Sequence, residues 1–244
     1  MIWTTEGLVF FGTWLLKKNL PGYGLLCIHA PILSIKMGTL LKLKWADFID
    51  PTTNKCEATL QIKDEKENTG LSREQFLSRE LSEYIQKITT TVFKRYQGEQ
   101  GFDYADFVYL NSRTGKVLTT STLKRELQKL YEDFKNEVYQ ITYLELKFRA
   151  IETNSFEIAW GRDMVSLYNY SKKAFIAVSK FLGHRTVAHT IKYLEHECID
   201  NVRLRFDLYS PNTEMAFAIY DNLEDEKWLT RYLVSKKFVN PTKE

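Results

Sequence analysis

The N-terminal stretch of the chain carries apolar residues at helical spacing. Leu8, Phe11 and Leu15 recur every three or four residues and predict an amphipathic helix over residues 5–19. The following stretch is also helical in pattern, but Pro31 lacks the backbone N–H that a helix interior needs. We therefore expect one helix to end just before this proline and another to begin three residues after it.

Two segments in the first third of the chain have the pattern of strands. Residues 56–63 alternate strictly between apolar and polar side chains, which is the period of a half-buried strand. A second strand is expected at residues 74–77, and the polar, glycine-ended stretch 64–70 between them is typical of a hairpin loop. The pattern predicts a small antiparallel β-sheet.

Most of the remaining chain shows helical spacing. The predicted helices cover residues 80–96, 122–136, 142–160, 172–182, 186–197 and 222–237, and a strand is expected at 214–220. No repeat or Pro/Gly-rich linker divides the chain, so a single domain is expected over residues 1–244. The expected fold class is mainly α with a small antiparallel β-sheet (α+β).

Charge and cysteine content say little about partners and only suggest a cellular location. The 34 basic and 31 acidic residues give a net charge of +3, which by itself indicates neither nucleic acid nor membrane. The three cysteines are far apart and lack CxxC spacing, which favours a reducing compartment and a cytoplasmic location. The longest apolar run near the N-terminus, residues 8–16, is too short to span a membrane, so no membrane partner is expected.

The sharpest motif lies in residues 181–193. A Leu-Gly-His turn ending at His184 is followed nine residues later by Tyr193, across a short predicted helix. This arrangement resembles the final motif of the tyrosine recombinase (phage integrase) family. The resemblance implies that Tyr193 attacks a DNA phosphate to form a 3′-phosphotyrosyl link, and that His184 contacts that phosphate.

The resemblance extends over other segments in the family's order, and it assigns further site residues. Lys36 stands at the position of the first catalytic arginine, four residues before the pair Leu40-Leu41. Lys66, or less favourably Lys63, corresponds to the hairpin lysine that reaches the scissile nucleotide.

The family's His-x-x-Arg motif aligns best with residues 141–148, where Leu144 takes the histidine position and Lys147 the arginine position. A lysine ammonium cannot clamp two phosphate oxygens as a guanidinium does, and leucine can neither donate nor move a proton. A different register would instead bring Arg149 or Arg162 into the site.

The resemblance also bears on domain organisation. It covers residues 3–197, with residues 159–170 as an insertion, and leaves 198–244 as a C-terminal tail that could contact another protomer. The N-terminal core-binding domain of the family is expected to be absent, because the resemblance begins at the start of the chain. His184, His189, His196 and Cys198 lack the spacing of a zinc finger, so no metal and no other cofactor is expected.

Two functions follow from this resemblance. The first is a site-specific recombinase or integrase-like enzyme that cleaves and rejoins DNA strands through Tyr193, with Lys36, Lys66, Lys147 and His184 stabilising the transition state. The alternative is a catalytically degenerate DNA-binding or accessory protein derived from a recombinase. Either would bind double-stranded DNA, as a homo-oligomer or with a partner recombinase. Both predict lysines clustered around Tyr193 and acidic residues on distant faces. A third option, a structural relative with no DNA role, predicts no salt-sensitive DNA binding.

Overall fold

The structure is a computed structural model, which describes residues 1–53, 59–60, 75–76, 79–100, 103–194 and 213–239. The helices of these residues are α1 (Thr5–Lys17), α2 (Pro21–Leu33), α3 (Met37–Leu40), α4 (Arg79–Gln100), α5 (Thr120–Thr142), α6 (Ser155–Leu167), α7 (Lys172–Leu182), α8 (Val187–Tyr193), α9 (Thr213–Asn222) and α10 (Glu226–Ser235). None of these helices has both the length and the apolar character that crossing a membrane requires.

The predicted small antiparallel β-sheet is wrong. Within the two segments predicted as strands, the described residues form only β1 (Thr59–Leu60) and β2 (Gln75–Phe76), which pair over two residues each. A layer of sheet needs several strands with an apolar face packed against other elements, and a pairing this short provides none. The described part of the chain is therefore a helical fold, not α+β.

Helix α1 lies at the centre of the fold. The predicted amphipathic character is wrong, because every residue from Gly7 to Leu16 is buried. Thr4 caps its N-terminus by accepting a hydrogen bond from the backbone N–H of Gly7 at 3.0 Å. Helices α2, α5, α6 and α9 pack around α1, so its whole circumference is apolar.

Helices α1 and α2 approach each other closely at a pair of glycines. A Cβ atom added to Gly12 would lie 2.8 Å from the carbonyl oxygen of Gly24, and one added to Gly24 would lie 2.9 Å from the carbonyl oxygen of Gly12. These distances are too short for a carbon atom and a backbone oxygen. Glycine at both positions is therefore a condition of this helix crossing.

The proline of α2 does not split the helix where the sequence predicts. Pro31 lies inside the last turn, and the helix continues to Leu33 before Ser34 takes a left-handed conformation with φ of 47°. The N–H of Ser34 then donates to the carbonyl of Ala30 at 3.0 Å. Pro31 removes only the hydrogen bond that its own N–H would have donated to the residue four positions earlier, so the helix can continue past it.

Residues 143–154 are not helical, although a helix is predicted over 142–160. Tyr143 ends α5 in a left-handed conformation, and the next helix begins only at Ser155. The segment between them pairs with both ends of the chain. The N–H of Lys147 donates to the carbonyl of Phe238 at 2.8 Å, and the N–H of Arg149 donates to that of Met1 at 3.0 Å. These long-range partners replace the hydrogen bonds that a helix would have formed.

The described part of the C-terminal tail packs on the core of its own chain. The strand predicted at 214–220 is wrong, because this segment lies in α9, which buries Ile219. Leu223, four residues later and just past the end of the helix, is also buried. Helix α10 buries Leu229 and Leu233 at the same spacing. The expected oligomer contact of the tail remains a prediction.

His29 is a fully buried histidine in a polar network. Its Nδ1 atom lies 3.0 Å from the Tyr109 hydroxyl oxygen, and its Nε2 atom lies 3.0 Å from Oγ1 of Thr89. The ring also stacks on Phe48 with centroids 5.0 Å apart. Burial lowers the pKa of His29 to about 3, so the imidazole is neutral in the folded protein at pH 7.

We expect Gly12→Ala to lower the free energy of unfolding by about 1–3 kcal/mol, because its methyl group would overlap the Gly24 carbonyl. Thermal unfolding followed by circular dichroism measures this change. The matched control is Gly38→Ala, since a Cβ at Gly38 meets nothing within 4 Å. Equal melting temperatures for the two variants would contradict the crossing described above.

We expect folding to weaken on acidification because of His29. In the unfolded chain its pKa is about 6.5, so protons bind the unfolded state first as pH falls toward the folded pKa of about 3. Between pH 6.5 and 5 this contribution falls by about 2 kcal/mol. Urea unfolding of the wild type and of His29→Gln at several pH values measures this contribution. The difference between their free energies of unfolding should narrow as pH falls. The exposed His189→Gln variant is the control, and a constant difference would refute the assignment.

Candidate active site

The motif of residues 181–193 folds as two helices joined by a glycine turn. The Ser171 hydroxyl begins α7 by accepting from the N–H of Ala174 at 3.2 Å, and Gly183 ends it with φ of 72°. The Thr186 hydroxyl begins α8 by accepting from the N–H of His189 at 3.1 Å. The predicted helix over 172–182 is confirmed to the residue. The predicted helix over 186–197 is confirmed as far as Tyr193, and residues 195–197 lie outside the described part.

Tyr193 is the last residue of α8 and is half-buried. Its ring packs against a small apolar cluster, separate from the main core, formed by Val165, Ala174, Phe175, Val178 and Leu194. Its hydroxyl donates a hydrogen bond to Oε2 of Glu157 at 2.8 Å. Burial, and then the charge and hydrogen bond of Glu157, raise the pKa of Tyr193 well above its usual value. The phenol is therefore protonated at pH 7.

His184 lies directly beside Tyr193. The two rings meet edge to face with centroids 4.8 Å apart, and the His184 ring stacks on His189 at 4.4 Å. Nδ1 of His184 is 3.0 Å from Oγ1 of Thr190, which fixes the ring's orientation. Burial, then the neighbouring His189, lower the pKa of His184, while Glu157 opposes the shift. The imidazole is therefore mainly neutral at pH 7.

Backbone hydrogen bonds hold His184 in place. Its N–H donates to the carbonyl of Ser179 at 2.8 Å, and the Ser179 hydroxyl donates to the carbonyl of His184 at 3.3 Å. Ser179 is buried in the last turn of α7. The turn that carries His184 is thus tied to α7 by two hydrogen bonds, which gives the ring a defined position relative to α8.

Arg162 is the one of the two alternative arginines that lies near Tyr193. Its Nη1 donates to the carbonyl of Leu194, the residue after Tyr193, at 3.2 Å. Burial raises the pKa of the neighbouring Asp163 to about 7, and the charge of Arg162 opposes that shift. Arg149 is exposed and lies beside the N-terminus, where its carbonyl accepts from Nε1 of Trp3 at 3.0 Å.

The other predicted site residues that the structure describes form no hydrogen bond or ion pair with His184 or Tyr193. Lys36 is exposed at the start of α3, where its carbonyl accepts from the N–H groups of the first helical turn. Leu144 is buried, and Lys147 belongs to the segment that pairs with the C-terminal residues. Among the described residues, no hydrogen bond or ion pair joins Lys36 or Lys147 to Tyr193. Lys66, like Lys63, lies outside the described residues.

Helices α7 and α8 and the turn between them carry basic side chains and no acidic ones. Residues 171–194 contain five lysines and arginines and no acidic residue, whereas the whole chain carries a net charge of only +3. All five side chains are exposed: Lys172, Lys173, Lys180, Arg185 and Lys192. We call this set the basic surface. It can neutralise phosphate groups that lie along α7 and α8.

Sequence reasoning missed Glu157, whose carboxylate is the group nearest to the Tyr193 hydroxyl. The expectation that acidic residues lie only on distant faces is therefore wrong at this position. Glu157 is 36 residues from Tyr193 along the chain. Because the predicted helix began 13 residues too early, at 142 instead of Ser155, its pattern could not show which face of α6 Glu157 occupies.

Metal ligands do not cluster in the part of the chain that the structure describes: no three His, Cys, Asp or Glu side chains there are placed to hold an ion. His196 and Cys198, from the histidine-rich stretch, lie outside that part. Comparisons with models of protein families, with curated proteins and with solved structures find no match to this chain.

Proposed function

We propose that this protein binds duplex DNA and breaks and rejoins it through Tyr193, in the manner of tyrosine recombinases. The observation that carries the proposal is the contact of His184 with Tyr193, with ring centroids 4.8 Å apart. In the resemblance, these two residues contact the same phosphate. A nucleophile and a polar group beside it are the minimum that covalent phosphoryl transfer requires.

The reaction needs no cofactor. The Tyr193 oxygen would attack the phosphorus of a DNA phosphodiester, forming a 3′-phosphotyrosyl bond and releasing the 5′-hydroxyl. The covalent intermediate preserves the energy of the phosphodiester, so attack by a 5′-hydroxyl rejoins the strand without an added energy source. His184, as a neutral imidazole, can bind a phosphate oxygen through an N–H group.

The basic surface supports the DNA part of the proposal. Its five exposed cations lie on the two helices and the turn that carry His184 and Tyr193. Each phosphate that such a cation neutralises releases condensed counterions, which gives affinity for duplex DNA without regard to sequence. A DNA substrate is compatible with the proposed cytoplasmic location. Cleavage and rejoining of two duplexes would further require a homo-oligomer or a partner recombinase.

A second candidate is a DNA-binding or accessory protein that does not cut. The observation that favours it is the position of Lys36 and Lys147, which make no hydrogen bond or ion pair with Tyr193 in the described part of the chain. Leu144 is also buried and carries no polar group. In this case the basic surface holds DNA, and the phenol of Tyr193 serves only to bind Glu157.

We expect the wild-type protein to form a covalent adduct with DNA that persists in SDS. The substrate is a pool of nicked duplexes, enriched from random sequence by binding, and labelled on the strand that would carry the 3′ phosphate. Tyr193→Phe removes the attacking oxygen and should abolish the adduct while retaining DNA binding. Tyr143→Phe is the control, because Tyr143 is 75% exposed and outside the site. Wild-type protein that shifts DNA on a gel but forms no adduct supports the second candidate.

We expect the basic surface to set the salt dependence of DNA binding. The double variant Lys180→Ala, Arg185→Ala should bind more weakly, and its slope of log affinity against log salt should be smaller by about 2 than that of the wild type. Fluorescence anisotropy at several salt concentrations measures the slope. The matched control is Lys227→Ala, Arg231→Ala, a lysine and an arginine exposed on α10. Equal slopes for both double variants would place the DNA elsewhere.

A further inference from the structure

The hydrogen bond between Tyr193 and Glu157 joins the proposed nucleophile to a carboxylate. The phenol donates, and Oε2 of Glu157 accepts at 2.8 Å. This distance lies within the range of about 2.6–3.2 Å in which nucleophiles and their bases meet in enzymes. No sequence motif points to Glu157, and the resemblance to recombinases assigns it no role.

We infer that Glu157 is the general base of strand cleavage, which removes the hydroxyl proton of Tyr193 as its oxygen attacks the DNA phosphorus. This inference rests on the function proposed above. It adds a catalytic residue to Tyr193 and His184, and it gives a role to the acidic group inside an otherwise basic surface.

The fold holds this carboxylate firmly in place relative to α8. A Cβ atom on Gly161 would lie 2.6 Å from Cδ2 of Leu194, so α6 and the end of α8 are in close contact. Arg162 binds the carbonyl of Leu194 from the same helix. Glu157 is one helical turn before these two residues. Helix α6 therefore contacts both Tyr193 and the residue after it.

The reactivity of the phenol explains why a base is needed. Any tyrosine is protonated at pH 7, and burial raises the pKa of Tyr193 further, so a free phenolate is not available for attack. A base within hydrogen-bond distance can take the proton while the O–P bond forms. His184 contacts the Tyr193 ring edge to face, whereas Glu157 accepts the hydrogen bond of the hydroxyl itself.

Strand cleavage exchanges one bond at phosphorus for another. The bond between Tyr193 Oη and phosphorus forms, and the bond between phosphorus and the 5′ oxygen breaks. The phenol proton passes to Oε2 of Glu157, and the 5′ oxygen takes a proton from water. The hydroxide left in solution then removes the proton from Glu157, so that the net change is the transfer of one proton from Tyr193 to the released 5′-hydroxyl.

The test uses two variants of the full chain and the nicked duplex pool described above. In Glu157→Gln, the amide oxygen still accepts the hydrogen bond but cannot take a proton. We expect adduct formation to slow by about 10²- to 10⁴-fold, with DNA affinity unchanged or tighter. Glu152→Gln is the control, since the Glu152 carboxylate pairs with Lys124 at 2.9 Å, whereas the Tyr193 hydroxyl donates to Glu157.

Glu157→Ala leaves space where the carboxylate stood. If Glu157 is the base, added formate should restore part of the rate in Glu157→Ala but not in Glu157→Gln. A merely structural role would show no such rescue. If the wild type forms the adduct and Glu157→Gln forms it at the same rate, this inference is overturned but the proposed function is not. Absence of adduct in the wild type overturns both.

Discussion

The close crossing of α1 and α2 is the constraint on which the rest of the fold depends. Gly12 and Gly24 bring the two backbones together, and α1 is buried along its length as a result. Helix α6 packs against both α1 and α2. Any change that separated the two central helices would therefore move α6, and with it Glu157, although neither glycine is near Tyr193 in the chain.

Helix α6 links the core to the candidate site. Its first half buries Phe156 and Ala159 in the main apolar core, and Val165 in its second half belongs to the small cluster beneath α7 and α8. Glu157 and Arg162 project from the same helix toward Tyr193 and the residue after it. Helix α6 thus connects the main core to Tyr193, whose ring packs on a smaller and separate apolar cluster.

The parts of the fold that could be predicted from the sequence are those with local causes. Ser171 and Gly183 are cap residues that mark both ends of α7, so its bounds follow from the sequence alone. Residues 143–154 have the spacing of a helix, but their hydrogen bonds go to Met1 and to Phe238, which no local pattern can show. The short apolar run in α9 is compatible with a strand or with a helix, and it is the packing on α1 and α4 that selects the helix.

In the candidate site, too, contacts between residues close in sequence could be predicted, whereas contacts between distant residues could not. His184 and Tyr193 are nine residues apart across one turn, so their contact could be predicted, whereas Glu157 comes from another helix. In the proposed complex with DNA, an ionised Glu157 beside a phosphate would cost binding energy through like-charge repulsion. If it accepts the phenol proton, it becomes neutral at the moment when negative charge builds on the phosphate oxygens. The repulsion then weakens in the transition state relative to the ground state, which is the condition for faster cleavage.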